Sequence, residues 1–231
     1  MKLRKRSLLL GLAGLLLLTG CGSLPEMAPT EPTEAASKRI VCIGDSNTYG
    51  FDPYNYGARY PEDQRWTGRL AQEGREVVNL GVNGATIPWP EELEAVRQQL
   101  SAREPTDLVI VMLGTNDILC GYTVSACLDR MNGLLLAIRE VLPESELLLV
   151  APPPTPLGTE IDRTQFSAAY RDLAAGYREL AERLELHFAD AADWNIELGP
   201  DELHFSAEGH RRFAEAVEEL LKELGLLEDL C

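Results

Sequence analysis

From Lys38 onward, short uninterrupted apolar runs alternate with longer amphipathic ones, and few folds accept that pattern. Ile40–Ile43, Val77–Leu80, Leu108–Leu113 and Leu147–Ala151 read as strands, with a weaker fifth at Leu186–Ala189. Strands with no polar alternation are buried on both faces, the condition of a parallel sheet covered by helices. The runs between them carry helical spacing: Glu62–Glu73, with Trp66 and Leu70 four apart, then Glu91–Ala102, Thr123–Val141, Arg163–Leu184 and about Ser206–Leu224. The last of these places Phe213, Val217, Leu220, Leu221 and Leu224 on one face. Strand-helix alternation implies right-handed crossovers between parallel strands. The expected fold is therefore a three-layer α/β/α, flavodoxin-like domain with a central parallel sheet of about five strands. Pro152-Pro153-Pro154-Thr155-Pro156 must be a loop at the end of the fourth strand, because proline serves neither a central ladder nor a helix interior.

The chain before Lys38 has a different character. Lys2, Arg4, Lys5 and Arg6 precede the apolar run Leu8–Leu18, which is too short to span a bilayer comfortably. The run ends in Leu18-Thr19-Gly20-Cys21, which resembles the bacterial lipobox. That resemblance implies cleavage before Cys21, lipid attachment to its sulfur and a place on the extracytoplasmic side of the membrane in the bacterial cell envelope. Residues 1–20 then form a signal peptide. Residues 21–37, rich in Pro, Glu, Thr, Ala and Ser without apolar periodicity, form the lipidated N-terminus and a tether, and the domain occupies 38–231. Net charge is −16, and removing the four basic residues of the leader takes it to −20. Such a surface repels nucleic acid, so the expected partners are the membrane, through the anchor, and a small substrate. Cys42 falls in the first strand as a buried thiol, whereas Cys120 and Cys127 are close enough in sequence for a disulfide to be considered. No Cys/His cluster has zinc-ligand spacing, and no metal or cofactor is expected.

The chemistry concentrates where strands end. Gly44-Asp45-Ser46-Asn47-Thr48-Tyr49-Gly50 follows the first strand, Asn79-Leu80-Gly81-Val82-Asn83-Gly84 closes the second, and Gly114-Thr115-Asn116-Asp117 follows the third. Asp201-Glu202-Leu203-His204 precedes the last helix. Open α/β sheets bind ligands outside the carboxyl ends of their strands, so these segments converge on one edge. A serine hydroxyl is a poor nucleophile without a base, and the chain has only three histidines. Ser46 reads as the nucleophile, His204 as general base and later general acid, and Asp201 as the group orienting the imidazole. Donors to an oxyanion are expected from the Ser46 N–H, the Gly81 N–H, where glycine permits close backbone approach, and the Asn116 amide.

These segments resemble the four blocks of the SGNH hydrolases, also called the GDSL family, whose four letters fall on Ser46, Gly81, Asn116 and His204. The resemblance extends over nearly all of Lys38–Leu224. It implies acyl-ester hydrolysis through an acyl-enzyme by a Ser-His-Asp triad without a metal. The Gly-x-Ser-x-Gly elbow of α/β-hydrolases is absent, since Thr48 stands in place of its second glycine. Tyr60-Pro61 and Arg65-Trp66 resemble the arylesterase and small-acyl branch. Asp190 and Asp193 are rival partners for the histidine, with Asp201 favoured by its fixed spacing in the family block. Asp45 and Asp117 read as residues that order the serine and asparagine turns, while His187 and His210 read as structural. Tyr49 and Trp89 are candidate substrate-binding residues, whereas Trp66 fits a core position equally well.

The expected activity is extracytoplasmic hydrolysis of small acyl esters, with carbohydrate O-acetyl groups and aryl esters as candidate substrates. A lysophospholipase, a thioesterase or an acyltransferase would use the same triad. A glycan-binding lipoprotein without turnover is the alternative from a different class, and a missing triad member would have favoured it.

Overall fold

The computed structural model describes residues 38–55, 58–71, 75–157 and 160–227. The expected leader, Cys21 and its lipid, the tether and Cys231 lie outside the described residues. Five strands form one sheet: β1 (Lys38–Gly44), β2 (Arg75–Asn79), β3 (Leu108–Met112), β4 (Glu146–Ala151) and β5 (His187–Asp190). Their spatial order is β2-β1-β3-β4-β5, and every pairing is parallel. This is the flavodoxin-like order, whose switch point lies between β1 and β3.

Among the described residues, seven α-helices accompany the sheet: α1 (Ser46–Tyr49), α2 (Trp66–Leu70), α3 (Leu93–Ser101), α4 (Thr115–Leu119), α5 (Val124–Val141), α6 (Glu160–Leu184) and α7 (Ala207–Glu223). Successive strand residues feed two separate cores, as the two-residue period of a strand requires. Val41, Val109, Val111, Leu147 and Leu149 pack with Leu100 of α3, Met131 and Leu134 of α5, and Leu173 and Tyr177 of α6. Ile40, Cys42, Ile110, Met112, Leu148 and Val150 pack on the other face, with Trp66 and Leu70 of α2 and Phe213, Val217 and Leu221 of α7. Trp66 is thus a core residue.

Among the described residues, the first expected helix is shorter than its sequence pattern. Glu62–Gln64 is a single 3-10 turn, Arg65 is extended, and only Trp66–Leu70 is α-helical. Gly68 packs so tightly on the Glu62 carbonyl that a Cβ would stand 1.9 Å from its oxygen, which fixes the break. Leu93–Ser101 likewise begins after a 3-10 turn at Pro90–Glu92. Helices α1 and α4 have no counterpart in the sequence reading. They are the elements that directly follow β1 and β3 at the switch point.

Cys120 is exposed and Cys127 buried, and both are free thiols rather than a disulfide; Cys42 is a buried thiol in β1.

Candidate active site

Ser46 is the first residue of α1, immediately beyond β1, and is 6% exposed. Its N–H belongs to the first turn, where no intrahelical acceptor exists. Asp45 caps the helix by accepting from the Asn47 N–H at 2.9 Å, so it orders the turn that carries Ser46, as expected. Gly44 permits the sharp exit from the strand, since a Cβ there would stand 2.0 Å from the Thr48 hydroxyl. The last paired residues of β1 and β3 are Gly44 and Met112, which sets the turn bearing Ser46 beside the turn bearing Asn116.

His204 stands in a tight loop between a 3-10 turn (Ala191–Trp194) and α7. Its Nδ1 lies 2.7 Å from Asp201 Oδ2. The other carboxylate oxygen accepts the backbone N–H groups of Leu203 at 3.1 Å and His204 at 3.0 Å. Burial draws the Asp201 carboxyl upward, but the hydrogen bonds from the His204 ring and these two N–H groups outweigh it and leave the acid below its ordinary range. A carboxylate held ionised at Nδ1 fixes the proton there and leaves Nε2 as an acceptor. Glu202 adopts φ 57°, a left-handed backbone that costs a non-glycine residue about 1–2 kcal/mol. That turn lets residues 201 and 204 face each other.

The loop is anchored to α1 by Asn47. Its Oδ1 accepts the Phe205 N–H at 2.8 Å, and its Nδ2 donates to the Leu203 carbonyl at 3.3 Å. One buried amide therefore grips the residues on both sides of His204 from the position next to Ser46. Phe51 completes the arrangement: its N–H donates to the Ser46 carbonyl, and its ring lies 4.3 Å from the imidazole centroid. Neither residue was singled out from sequence. The signal for Asn47 was the polar amide next to the serine in a turn at the end of a strand. For Phe51 there was no signal beyond an apolar residue after Gly50.

The expected oxyanion donors sit at the same edge in different states. Asn116 donates one amide hydrogen to the Ala85 carbonyl at 2.8 Å. The Gly81 N–H donates to Asn79 Oδ1 at 2.9 Å. The structure also gives a different reason for glycine at 81: a Cβ would stand 2.3 Å from the Tyr49 nitrogen, so the residue is small to accommodate α1 rather than substrate. Asn79 adds to that junction by donating to the Thr48 carbonyl at 2.6 Å and the Thr67 hydroxyl at 2.8 Å.

The rival residues go elsewhere. Asp190 caps the 3-10 turn through the Ala192 N–H, and Asp193 lies within that turn. His187 pairs with Glu146 at 3.1 Å on the outer strand. His210 is fully buried among Tyr60, Phe205 and the Trp66 backbone, and burial pushes its imidazole down to about 3, so it stays neutral. Tyr49 is half-buried under the Arg59 guanidinium, 4.3 Å from its ring centroid, while Trp89 is exposed on the segment that follows Ala85. Asp117 is fully buried, accepts the Ile87 N–H at 3.1 Å and pairs with Arg130, which fixes the turn of Asn116 as expected. Among the described residues, no group of three or more His, Cys, Asp or Glu side chains forms a metal site.

Residues 42–212 match the model of the GDSL-like lipase/acylhydrolase family. The chain belongs to this family. As a GDSL-like acylhydrolase it is an ester-hydrolysing enzyme. Among solved structures it is similar to Est24, a carbohydrate acetylesterase from Sinorhizobium meliloti, at 28% identity and a TM-score of 0.71, over 81% of this chain and 100% of that one. It is similar to the aryl esterase of M. smegmatis at 30% identity and a TM-score of 0.70, over 81% and 100% of the two chains. A putative arylesterase from Agrobacterium tumefaciens matches at 29% identity and a TM-score of 0.66, over 80% and 99%. Comparison with curated proteins gives no match.

The buried cap of the GDSL-like site carries a pH-dependent cost. Burial, with a contribution from nearby Asp117, pushes the Asp45 carboxyl up to about 7, against the pull of its bond from Asn47. The folded state thus holds a proton that the unfolded chain has lost above the ordinary carboxylate range. Stability from that proton is full at acid pH and is lost as pH rises through about 7. Asp45→Asn keeps the acceptor for the Asn47 N–H but cannot ionise. Its Tm relative to the parent enzyme is expected to rise between pH 5 and pH 8. A constant difference between the two melting curves would show that Asp45 does not titrate in this range.

Proposed function

We propose that this enzyme is a serine esterase of small acyl esters, carbohydrate O-acetyl groups or aryl esters, working by a Ser46-His204-Asp201 triad. The observation that carries this reading is the Asp201–His204 pair at 2.7 Å, on a loop that Asn47 grips from the residue next to Ser46. Ser46 Oγ attacks the acyl carbon, and its proton passes to His204 Nε2. Asp201 remains ionised and stabilises the imidazolium through Nδ1. The tetrahedral oxyanion takes the Ser46 N–H and the second hydrogen of the Asn116 amide. The Gly81 N–H joins them by a three-centre bond shared with Asn79 Oδ1. The leaving alcohol receives the proton from Nε2, and an acyl group remains on Ser46. Water, deprotonated by the same nitrogen, then releases the acid and restores the serine. Each fixed donor is worth about 3 kcal/mol of barrier. The ring of Phe51 on the imidazole limits water access to the pair and restrains the ring in its working orientation.

The leader, the lipobox-like Leu18-Thr19-Gly20-Cys21 and the low-complexity stretch after it support export, a lipid on Cys21 and action outside the cytoplasmic membrane. Two or more acyl chains hold a protein stably at a bilayer, whereas one does not.

The test is hydrolysis of p-nitrophenyl acetate, butyrate, octanoate and palmitate, with acetylated xylan alongside and the full chain followed in membrane fractions. Turnover confined to acetate and butyrate, and a membrane association lost in Cys21→Ser, are expected. Preference for octanoate or palmitate would make it a lipase or lysophospholipase. Acyl transfer to an added alcohol that outruns hydrolysis would make it an acyltransferase. A folded protein with no turnover would be a binding lipoprotein.

A further inference from the structure

Asn116 ties its loop to the Ala85 carbonyl, and four residues after Ala85 and six after Asn116 stands an aromatic pair, Trp89 and Tyr122, that the proposed ester chemistry does not use. Trp89 and Tyr122 are 39% and 38% exposed, and their rings stand nearly perpendicular, at 87°, with centroids 5.6 Å apart. Arg130, only 6% exposed, places its guanidinium 4.3 Å over the Trp89 ring and 4.7 Å over the Tyr122 ring. The cation occupies the inner angle of an L and covers one face of each ring. It is held there by the Asp117 carboxylate, by the Ile87 carbonyl at 2.9 Å and by the Ala126 carbonyl at 3.4 Å. The Trp89 backbone is fixed separately, its N–H donating to Glu92 Oε2 at 2.7 Å. The exposed part of the indole is therefore a rigid flat surface. Its place is set by the same network: Ile87 lies two residues before Trp89, and Asp117 follows Asn116.

We propose that the outer face of Trp89 is a stacking platform for an uncharged sugar ring bearing the ester, with Arg130 and Tyr122 as its buttress; this rests on the reading of the site as a small-acyl esterase. A pyranose presents one face of C–H bonds, whose partial positive charge matches the negative face of an indole. The guanidinium already on the inner face weakens the ring's attraction for a second cation, because both draw on one quadrupole. The net charge of −16 opposes an anionic ligand. A neutral ring with an apolar face satisfies both conditions. Because the indole is already immobilised, stacking costs little side-chain entropy.

The chain has three tryptophans, and Trp66 is fully buried while Trp194 is half-buried, so emission changes on ligand addition report chiefly on Trp89. In a Ser46→Ala background, acetylated xylotetraose is expected to give a saturable change in tryptophan emission that Trp89→Ala removes. In the enzyme with Ser46, Trp89→Ala is expected to lower kcat/KM for acetylated xylotetraose at least tenfold more than for p-nitrophenyl acetate, mainly through KM. Trp89→Phe is expected to restore most of that selectivity, which separates stacking from folding. Equal losses on both substrates, a larger loss on the aryl ester, or no emission change would overturn the platform. A parent enzyme that cleaves neither ester would overturn the esterase reading instead, and the emission titration would still decide the platform.

Discussion

Ser46→Ala is expected to lower kcat/KM for p-nitrophenyl acetate by about four to six orders of magnitude while leaving the fold intact. The size follows from the proposed triad, in which Ser46 Oγ attacks the acyl carbon and His204, held by Asp201 on the Asn47-anchored loop, takes its proton. The cap of α1 is Asp45, so removing the serine oxygen leaves the capping bond in place. The change in stability is therefore expected to be within about 0.5 kcal/mol. Groups that act as a unit do not add, so Ser46→Ala combined with His204→Ala is expected to be no slower than Ser46→Ala alone. Steady-state rates for the two single variants and the double variant, beside their melting curves, check this. Residual turnover near a tenth of the parent rate in Ser46→Ala would remove the serine from the covalent step. A double variant far slower than either single would mean that the two residues act independently.

The same geometry explains which parts of this enzyme are visible in its sequence. The strands are legible because a parallel sheet covered on both faces requires continuous apolar runs, and Val109–Met112 and Leu147–Val150 are entirely buried. Ser46, Asn116 and His204 stand out as candidates because each lies in a short polar segment just past a strand or just before a helix, where the structure also places them. Helices α1 and α4 are not, because four or five residues contain too little periodicity; their only signals are the caps Asp45 and Gly114. The overlong reading of α2 came from the genuine four-residue spacing of Trp66 and Leu70, which says nothing about the extended Arg65 before it. Asn47 shows a deeper limit. Its two bonds span 156 and 158 residues, and no local pattern encodes which backbone groups a buried amide will meet. Gly81 shows the reverse case: its glycine was expected to let substrate approach the backbone, and the structure requires it instead for the backbone of α1. Arg130 was hidden differently, since one cation on an amphipathic helix reads as solvated until its buried partner is known.

Arg130→Met is expected to destabilise the domain by about 3–5 kcal/mol, since it leaves a buried carboxylate without its cation. For a domain of this size, each kcal/mol moves Tm by about 2–4 °C, so the loss is on the order of 10 °C. Asp117 is 0% exposed, and burial already raises its carboxyl above the ordinary value even with Arg130 beside it and the Ile87 N–H bonded to it. Without the guanidinium the acid is pushed higher still, and the folded protein increasingly prefers its protonated form. Stability contributed by a raised acid is present at low pH and lost as pH rises, so the deficit of Arg130→Met is expected to be smaller at pH 5 than at pH 8. Asp117→Asn removes the charge and keeps an acceptor for the Ile87 N–H. Added to Arg130→Met, it is expected to recover more than half of the lost Tm at pH 8. Melting curves of the two single variants and the double variant at both pH values test this. A loss below about 1 kcal/mol, or a double variant no better than Arg130→Met, would mean that the pair does not hold this region together. The consequence extends past stability, because Asp117 adjoins Asn116 and the Ile87 backbone leads into Trp89. One buried ion pair thus holds both the residue after an expected oxyanion donor and the backbone that leads into the exposed indole.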